Sequence, residues 1–549
     1  MVRRTLNAIT SKISGLHEAA FWLAGFSILS QILAFIRDRI LAYHFGAGHE
    51  LDIYYASFEI PDLIFATAAS LVSASILIPF FVKQEQNSEE HLKKYINSVF
   101  TSFFLFISVC AVLAWVFMPM LVPLFFKNLG PEAVEKIINF SRILLLSPFF
   151  LGLSNFFGSI VQYEKRFLLY SLSPLLYNFG IILGAFFGAS QFGVAAVVTG
   201  VAVGAFLHML VQMIWVYRSG NGPKFIKDLD LLEVKKTFAL SIPRTLSLSA
   251  SSLVGLFFVV IASKFPTGSI AVFTFSFNLQ SIPLVIIGAS YSLAAFPTLA
   301  GHYVKGELLE IGACLSSGLR HIIFWSLPVA ALFIVLRAHV VRVILGSGSF
   351  DWSDTKMTAA ALALFVFSVV FQSIQLFLTR AHYAFGKTRL PLFINLGNAL
   401  LTVSLAMIFA KYFAPNGLFF TFVANILKVE GLERVSVLSL PIAFSIGAFI
   451  SATLLWLFLE KEIRKSATAM LVVSFRDSIL NAFCIGFVTS ISLHLLDGLF
   501  DLDATLEVFA HAFISGIIGI AAGILLLLLI KNKEMAEIIA KFKKPHEQN

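Results

Sequence analysis

The chain has 549 residues, 58% of them hydrophobic and 13% charged, with a mean hydropathy of +0.88. A soluble domain has no use for so much apolar surface, so composition excludes a water-soluble protein and indicates an integral membrane protein. The net charge of +9 does not point to nucleic acid, because the basic residues fall between the apolar runs, where they set topology and attract anionic membrane lipids.

The N-terminal stretch MVRRTLNAITSKISGLHEAA is basic. It leads into a hydrophobic run too long for a signal-peptide core and without an A-x-A-like cleavage site, and is read as a cytoplasmic helix that stays attached. Runs of roughly 20 apolar residues, enough to cross about 30 Å of hydrocarbon, follow at 20–44, 53–83, 96–126, 137–163, 168–190, 193–217, 236–262, 269–299, 314–337, 357–382, 389–411, 438–460, 477–497 and 507–530. The expected fold is an all-α polytopic membrane protein of about 14 transmembrane helices. With the N-terminus inside, most of the 40 Lys and Arg lie on the cytoplasmic side, in KQEQNSEEHLKK, RSGNGPKFIKDLDLLEVKK, EKEIRKS and the tail from Lys531. Both termini are therefore read as cytoplasmic. The stretch APNGLFFTFVANILKVEGLERV, 414–435, is apolar but carries Lys428 and several acids, and is read as an interfacial helix outside the membrane.

An internal repeat organises these runs. PLLYNFG at 174–180 and PLFINLG at 391–397 share PLxxNxG, each opening the fifth run of its half; EIPDLI around Pro61 and SIPLVI around Pro283 echo each other at nearly the same offset. Duplication of a six-helix unit follows, giving two six-helix lobes related by pseudo-two-fold symmetry about the membrane normal, plus two extra C-terminal helices. The expected organisation is an N-lobe over 1–218, a cytoplasmic linker over 219–236, a C-lobe over 237–460, the extra helices over 461–530 and a basic cytoplasmic tail over 531–549. Helices interrupted by proline, in two like bundles, suggest a wet cavity between the lobes.

Charges inside the runs mark where that cavity would be. A charged side chain at mid-bilayer costs about 2.5–3.5 kcal/mol on insertion scales, yet Arg37, Asp38 and Arg39 stand in a row within the first run. Successive helical positions are about 100° apart, so the three cannot face one way; one arginine is expected to pair with Asp38 while the other faces the cavity. Snorkelling of both arginines to the helix end is the plainer alternative. Asp52, Glu59 and Asp62 fall at i, i+7 and i+10, an acidic stripe on the second run, and opposite signs on adjacent helices suggest salt bridging. Arg244, near the start of the seventh run, is either an interfacial anchor or a gate. Arg320 and Arg380, near helix ends, are read as snorkelling. Asn178 and Asn395 of the repeated motif are expected to bond backbone near Pro174 and Pro391.

Catalytic and metal chemistry finds no support. Cys110, Cys314 and Cys484 lie in apolar runs without CxxC spacing, the histidines have no HExxH-like spacing, and neither a Walker loop nor a nucleophile elbow occurs. No cofactor, metal or enzyme activity is expected, and any transport would be driven by gradients or membrane potential.

Several stretches together resemble the MurJ/MviN family of lipid II flippases, within the wider superfamily of drug, oligosaccharidyl-lipid and polysaccharide exporters. They are SQILAFIRDRILAYHFGAGHELDIYYASFEIPDLIF in the first two runs, PLLYNFGIILGAFFG in the fifth, GSIAVFTFSFNLQSIPLVIIGASYSLAAFPTLA around the eighth, and residues 340–391 with SGSFDWSDT and RAHYAFGKTRLP. The resemblance implies a cationic cavity between the lobes, alternating access, and carriage of a lipid-linked peptidoglycan precursor, lipid II, from the inner to the outer leaflet of a bacterial inner membrane. It also implies a groove at the last two helices for the polyprenyl tail, where Gly516, Gly519 and Gly523 would support close packing. Arg37 matches a family cavity arginine, and Asp52 an acidic residue after the FGAG turn.

The chain also departs from the family pattern. Gln31, Phe65 and Asn278 stand where family members carry arginines, and Glu59 where a basic residue is common. Candidate substrate-binding residues are therefore Arg37, Arg39, Asp52, Arg244, Asn278 and Gln280, with Asp38, Glu59 and Asp62 as gate or ion-coupling residues. The less positive cavity keeps two alternatives open: an ion-coupled exporter of another polyprenyl-linked sugar or an amphiphilic drug, and a non-transporting scaffold whose partners are cell-wall synthesis enzymes.

Overall fold

A computed structural model describes residues 16–412, 417–461 and 468–543 of the chain. Among these residues the regular structure is helical, with no strand, as hydrocarbon requires of a backbone that must satisfy its own polar groups. Thirteen helical stretches, from His49–Asn87 to Thr505–Leu529, are long and apolar enough to cross a membrane. They coincide with the second to fourteenth expected runs, and the first run falls on the 30-residue helix Leu16–Phe45. Residues 1–15 of the expected N-terminal entry helix lie outside the described residues, as do 413–416, 462–467 and 544–549.

Local signals set the helix ends. Ser88 caps Glu89–Phe126 by accepting a 3.1 Å bond from the His91 N–H, with Glu89 and Glu90 in the first turn, where carboxylates meet the positive end of the helix dipole. Asp351 caps Trp352–Ala384 through the Asp354 N–H at 2.8 Å. Ser290–Lys305 stops at Gly306, whose φ of 73° lets the Glu307 N–H reach the His302 carbonyl at 3.0 Å.

The second run, expected as one helix over 53–83, is broken. His49–Ala68 passes into a 3₁₀ turn at Ala69–Val72, Ser73 is extended, and a new helix runs Ala74–Asn87. The break is tolerated because neighbouring hydroxyls supply donors. Ser159 donates to the Val72 carbonyl at 3.1 Å and Ser241 to the Leu71 carbonyl at 3.4 Å, while Ser70 and Thr245 hydroxyls bond at 2.6 Å.

The chain divides into two compact units, 1–270 and 271–549. The first has an aromatic core built around Phe81, Tyr95, Phe100, Phe103, Phe156 and Phe157. Phe167–Leu183 and Val194–Arg218 pack backbone to backbone through facing glycines: a Cβ on Gly180 would lie 2.4 Å from the Gly204 Cα, and one on Gly200 2.7 Å from the Gly180 carbonyl. Residues 224–230, part of the expected linker, are fastened to Glu89–Phe126. The backbone N–H groups of Lys224, Ile226 and Asp230 donate to Asn97, Thr101 and Ser98, and Phe225 lies 5.0 Å from both Phe100 and Phe104. Leu231–Ala262, which follows, packs within this first unit against the second run.

The second unit packs around Leu315, Leu319, Ile322, Phe377, Leu378 and Leu455. Ser269–Pro283 widens into a π-turn at Leu284–Ala289, directly after the proline that removes a ladder donor. The tail forms a helix, Lys533–Lys543, and this corrects the reading of Arg320. It does not snorkel; it is buried and donates to Glu534 Oε1 at 2.9 Å, with Glu537 at 3.5 Å.

Candidate functional site

A polar constellation that includes a membrane-embedded charge pair surrounds Arg37 in the first unit. Its guanidinium folds back onto the next residue, Nε donating to Asp38 Oδ1 at 2.9 Å and Nη2 lying 2.8 Å from the same oxygen. Nη1 reaches across to Phe167–Leu183 and donates to Asn178 Oδ1 at 3.2 Å. Asn178 is itself held by donating to the Pro174 carbonyl at 3.2 Å and to Ser30 at 3.4 Å. Asp38 is 3% exposed, whereas the Arg37 side chain keeps 20% of its surface open. Removing a charge pair from water is unfavourable unless geometry and extra hydrogen bonds compensate, and Asp38 with Asn178 provides both. A guanidinium carries five N–H donors, so the two hydrogen bonds and the Nη2 ion-pair contact orient it and still leave donors for an anion.

This arrangement revises the pairing expected from the sequence. Arg37 pairs with Asp38 along its own helix rather than with the second run. Arg39 is half-buried. Glu59 is half-buried and Asp62 exposed, and neither makes an ion pair or hydrogen bond among the described residues. The acidic stripe is divided by depth. Asp52, 2% exposed, accepts the Gly268 N–H at 2.6 Å, which fixes the 263–268 turn after Leu231–Ala262. That bond satisfies a buried carboxylate and uses one of its oxygens structurally.

In the second unit, Gln280 is 1% exposed and accepts from Gln372 at 2.9 Å, and Gln372 also donates to Ser368 at 2.7 Å. Gln280 is thus turned toward Trp352–Ala384. Asn278 is half-buried on the same helix as Gln280. Arg244 stands on Leu231–Ala262, but its side chain lies outside the described residues. Among Leu308–Val335, Trp352–Ala384 and Thr468–Leu496 lies an apolar cavity of about 450 Å³ lined by Leu327, Ala331, Phe367, Phe371, Ile479 and Phe483. Gly519 and Gly523 pack Thr505–Leu529 tightly onto Thr468–Leu496: a Cβ on either would fall 1.9 Å from Thr489 Oγ1 or 2.4 Å from Ile485 Cγ1.

Sequence reasoning missed two partners that organise these sites. Asn178 was visible through PLxxNxG, but as a backbone ligand; its second role, as acceptor for Arg37, depends on how Leu16–Phe45 packs on Phe167–Leu183. Glu534 lies in a charged tail with no local signal of burial. Among the described residues no group of three or more His, Cys, Asp or Glu is placed to hold a metal ion.

Residues 41–506 match the family described as lipid II flippase MurJ. The chain is 24% identical over 396 residues to the probable lipid II flippase MurJ of Borreliella burgdorferi, a match covering 71% of this chain and 77% of that protein. Its fold is similar to a solved lipid II flippase MurJ in an inward closed conformation, with a TM-score of 0.74, 20% identity, and 94% of this chain and 99% of that one covered. It is similar, less closely, to an inward-facing multidrug resistance MATE family transporter of the MOP superfamily, with a TM-score of 0.64, 18% identity and coverages of 79% and 94%. With the family pattern spanning 41–506 and the flippase fold nearly the full length, the chain belongs to the MurJ family of lipid II flippases.

Proposed function

We propose that this chain moves lipid II, a polyprenyl diphosphate bearing a disaccharide-pentapeptide, from the inner to the outer leaflet of the bacterial inner membrane by alternating access. The observation that carries the reading is Arg37: a membrane-embedded guanidinium, fixed by Asp38 and Asn178, with donors left over for phosphate oxygens. Arginine suits this task because its planar fork bonds phosphate bidentately and keeps its charge. Arg39 and Arg244 supplement that charge, and Asn278 supplies a neutral donor. The apolar cavity lined by Phe367, Phe371 and Phe483 accommodates part of the polyprenyl tail. The N-lobe, 1–218, and the C-lobe, 237–460, rock against each other, and both termini stay cytoplasmic, a reading supported by the distribution of Lys and Arg. The chain works without enzymatic chemistry. Anionic lipids on the cytoplasmic side neutralise the basic loops.

The test is lipid II translocation by the purified protein in proteoliposomes. Movement above protein-free vesicles supports the reading; none, in protein shown to be folded, removes lipid II as substrate.

A second reading is favoured by Glu59 and Asp62, which lack partners among the described residues: an ion-coupled exporter of another amphiphile, in which these carboxylates take up H⁺ or Na⁺. It predicts that transport of that amphiphile follows an ion gradient and is lost in Glu59→Gln.

A further inference from the structure

The helix Leu418–Leu427, between the spans Arg389–Tyr412 and Val435–Glu460, has no place in the transport reading above. At ten residues it is about 15 Å long, too short to cross the membrane. Its residues separate into three faces. Val423 and Ala424 are buried, at 8% and 3% exposure, against the rest of the unit, which includes the Val435–Leu438 turn. Thr421 and Asn425 form an exposed polar face. Phe419, Phe422 and Ile426, at i, i+3 and i+7, form a third face that is apolar and open, at 49%, 61% and 59% exposure.

We propose that this third face inserts into the interfacial zone of the bilayer and anchors the connection between the two spans to the membrane surface. The occupant follows from position and chemistry. The spans that leave and re-enter the membrane on either side hold the helix at the boundary where their apolar surfaces end. A helix with one apolar and one polar face settles there with the apolar side in the acyl boundary and the polar side in water. Its flanks carry the residues that favour that boundary: Lys411 stacked over Tyr412 at 5.9 Å on one side, exposed Lys428 on the other. The following loop is tied down by Arg434, whose Nη1 lies 2.7 Å from Asp354 Oδ1 at the first turn of Trp352–Ala384, so the helix is held at one end by protein and along one face by lipid. A protein partner is disfavoured because the open apolar stripe is only three side chains wide and borders the polar face directly.

Nitroxide labels at single cysteines test this in full-length protein in liposomes, with Cys110, Cys314 and Cys484 replaced by alanine. The labels go at Phe422→Cys and Ile426→Cys on the apolar face and at Thr421→Cys on the polar one. The expected result is that labels at 422 and 426 collide more with lipid-soluble O₂ than with a water-soluble nickel chelate, and that the order reverses at 421. Equal access of the chelate to all three positions overturns the proposal, as does shielding of 422 and 426 from both reagents, which would mean a protein covers the face. Neither outcome depends on which substrate is moved, so failure here is distinct from failure of the flippase reading.

Discussion

Arg37 and Asn178 meet across two helices at 3.2 Å, guanidinium donating to amide oxygen, while Asp38 holds the same guanidinium from its own helix. Asn178→Leu removes the cross-helix acceptor and leaves Arg37 tied only to Asp38. Hydrogen bonds to charged groups contribute about 1.5–3 kcal/mol, so a loss of transport of roughly ten-fold or more is expected with unchanged membrane insertion. Asn178→Asp, which keeps an acceptor but adds a charge, is expected to tighten the hold on Arg37 and also to lower transport, by competing with phosphate. Proteoliposome transport rates for the two variants, beside their thermal stabilities, check both.

Arg320 and Glu534 form the most enclosed ion pair among the described residues, their side chains 8% and 3% exposed. Breaking such a pair from one side leaves an uncompensated buried charge and typically costs about 3–5 kcal/mol. Glu534→Gln is therefore expected to lower the thermal midpoint in detergent clearly, and Glu537→Gln, whose partner distance is 3.5 Å at 35% exposure, much less. Equal effects of the two would contradict the depth ordering.

The glycine seam between Phe167–Leu183 and Val194–Arg218 admits no side chain at its centre. Gly180→Ala puts a Cβ 2.4 Å from the Gly204 Cα, a backbone atom that cannot swing aside. Overpacking of this kind costs about 1–3 kcal/mol, and because the same helix carries Asn178, transport is expected to fall with stability. Gly255→Ala, which meets nothing within 4 Å, is the neutral control in a thermal-shift measurement.

His339, on the short helix Arg337–Ile344, has its imidazole pKa pushed down from 6.5 to about 4, first by burial and then by neighbouring His511 and Arg342, with Asp497 opposing. The folded state thus prefers neutral His339, while the unfolded chain takes up a proton near pH 6.5. Its contribution is complete above that pH and is lost as pH falls toward about 4. Thermal stability is expected to decline across this window, and the decline to be shallower in His339→Gln.

The helical architecture was legible because twenty-residue apolar runs admit few other structures in hydrocarbon. Composition did not reveal the break at Ala69–Val72, since ASLVSAS carries no proline, glycine or charge; it depends on the Ser159 and Ser241 hydroxyls arriving from other helices. The site was legible as a set of misplaced charges rather than as contacts. Arg37 and Asp38 drew attention by their insertion penalty, but which acceptors they use is decided by packing between residues far apart in the chain. Arg320 misled for the same reason: its helix-end position suggested snorkelling, and only the fold brings Glu534 to it.

The central claim is that Arg37 engages the diphosphate. Lipid II translocation in proteoliposomes is to be compared for wild type, Arg37→Ala and Arg37→Lys at matched protein content. Wild type is expected to transport, Arg37→Ala to be at background, and Arg37→Lys to be intermediate, because lysine keeps the charge but loses the bidentate fork. Transport by Arg37→Ala equal to wild type would contradict the account.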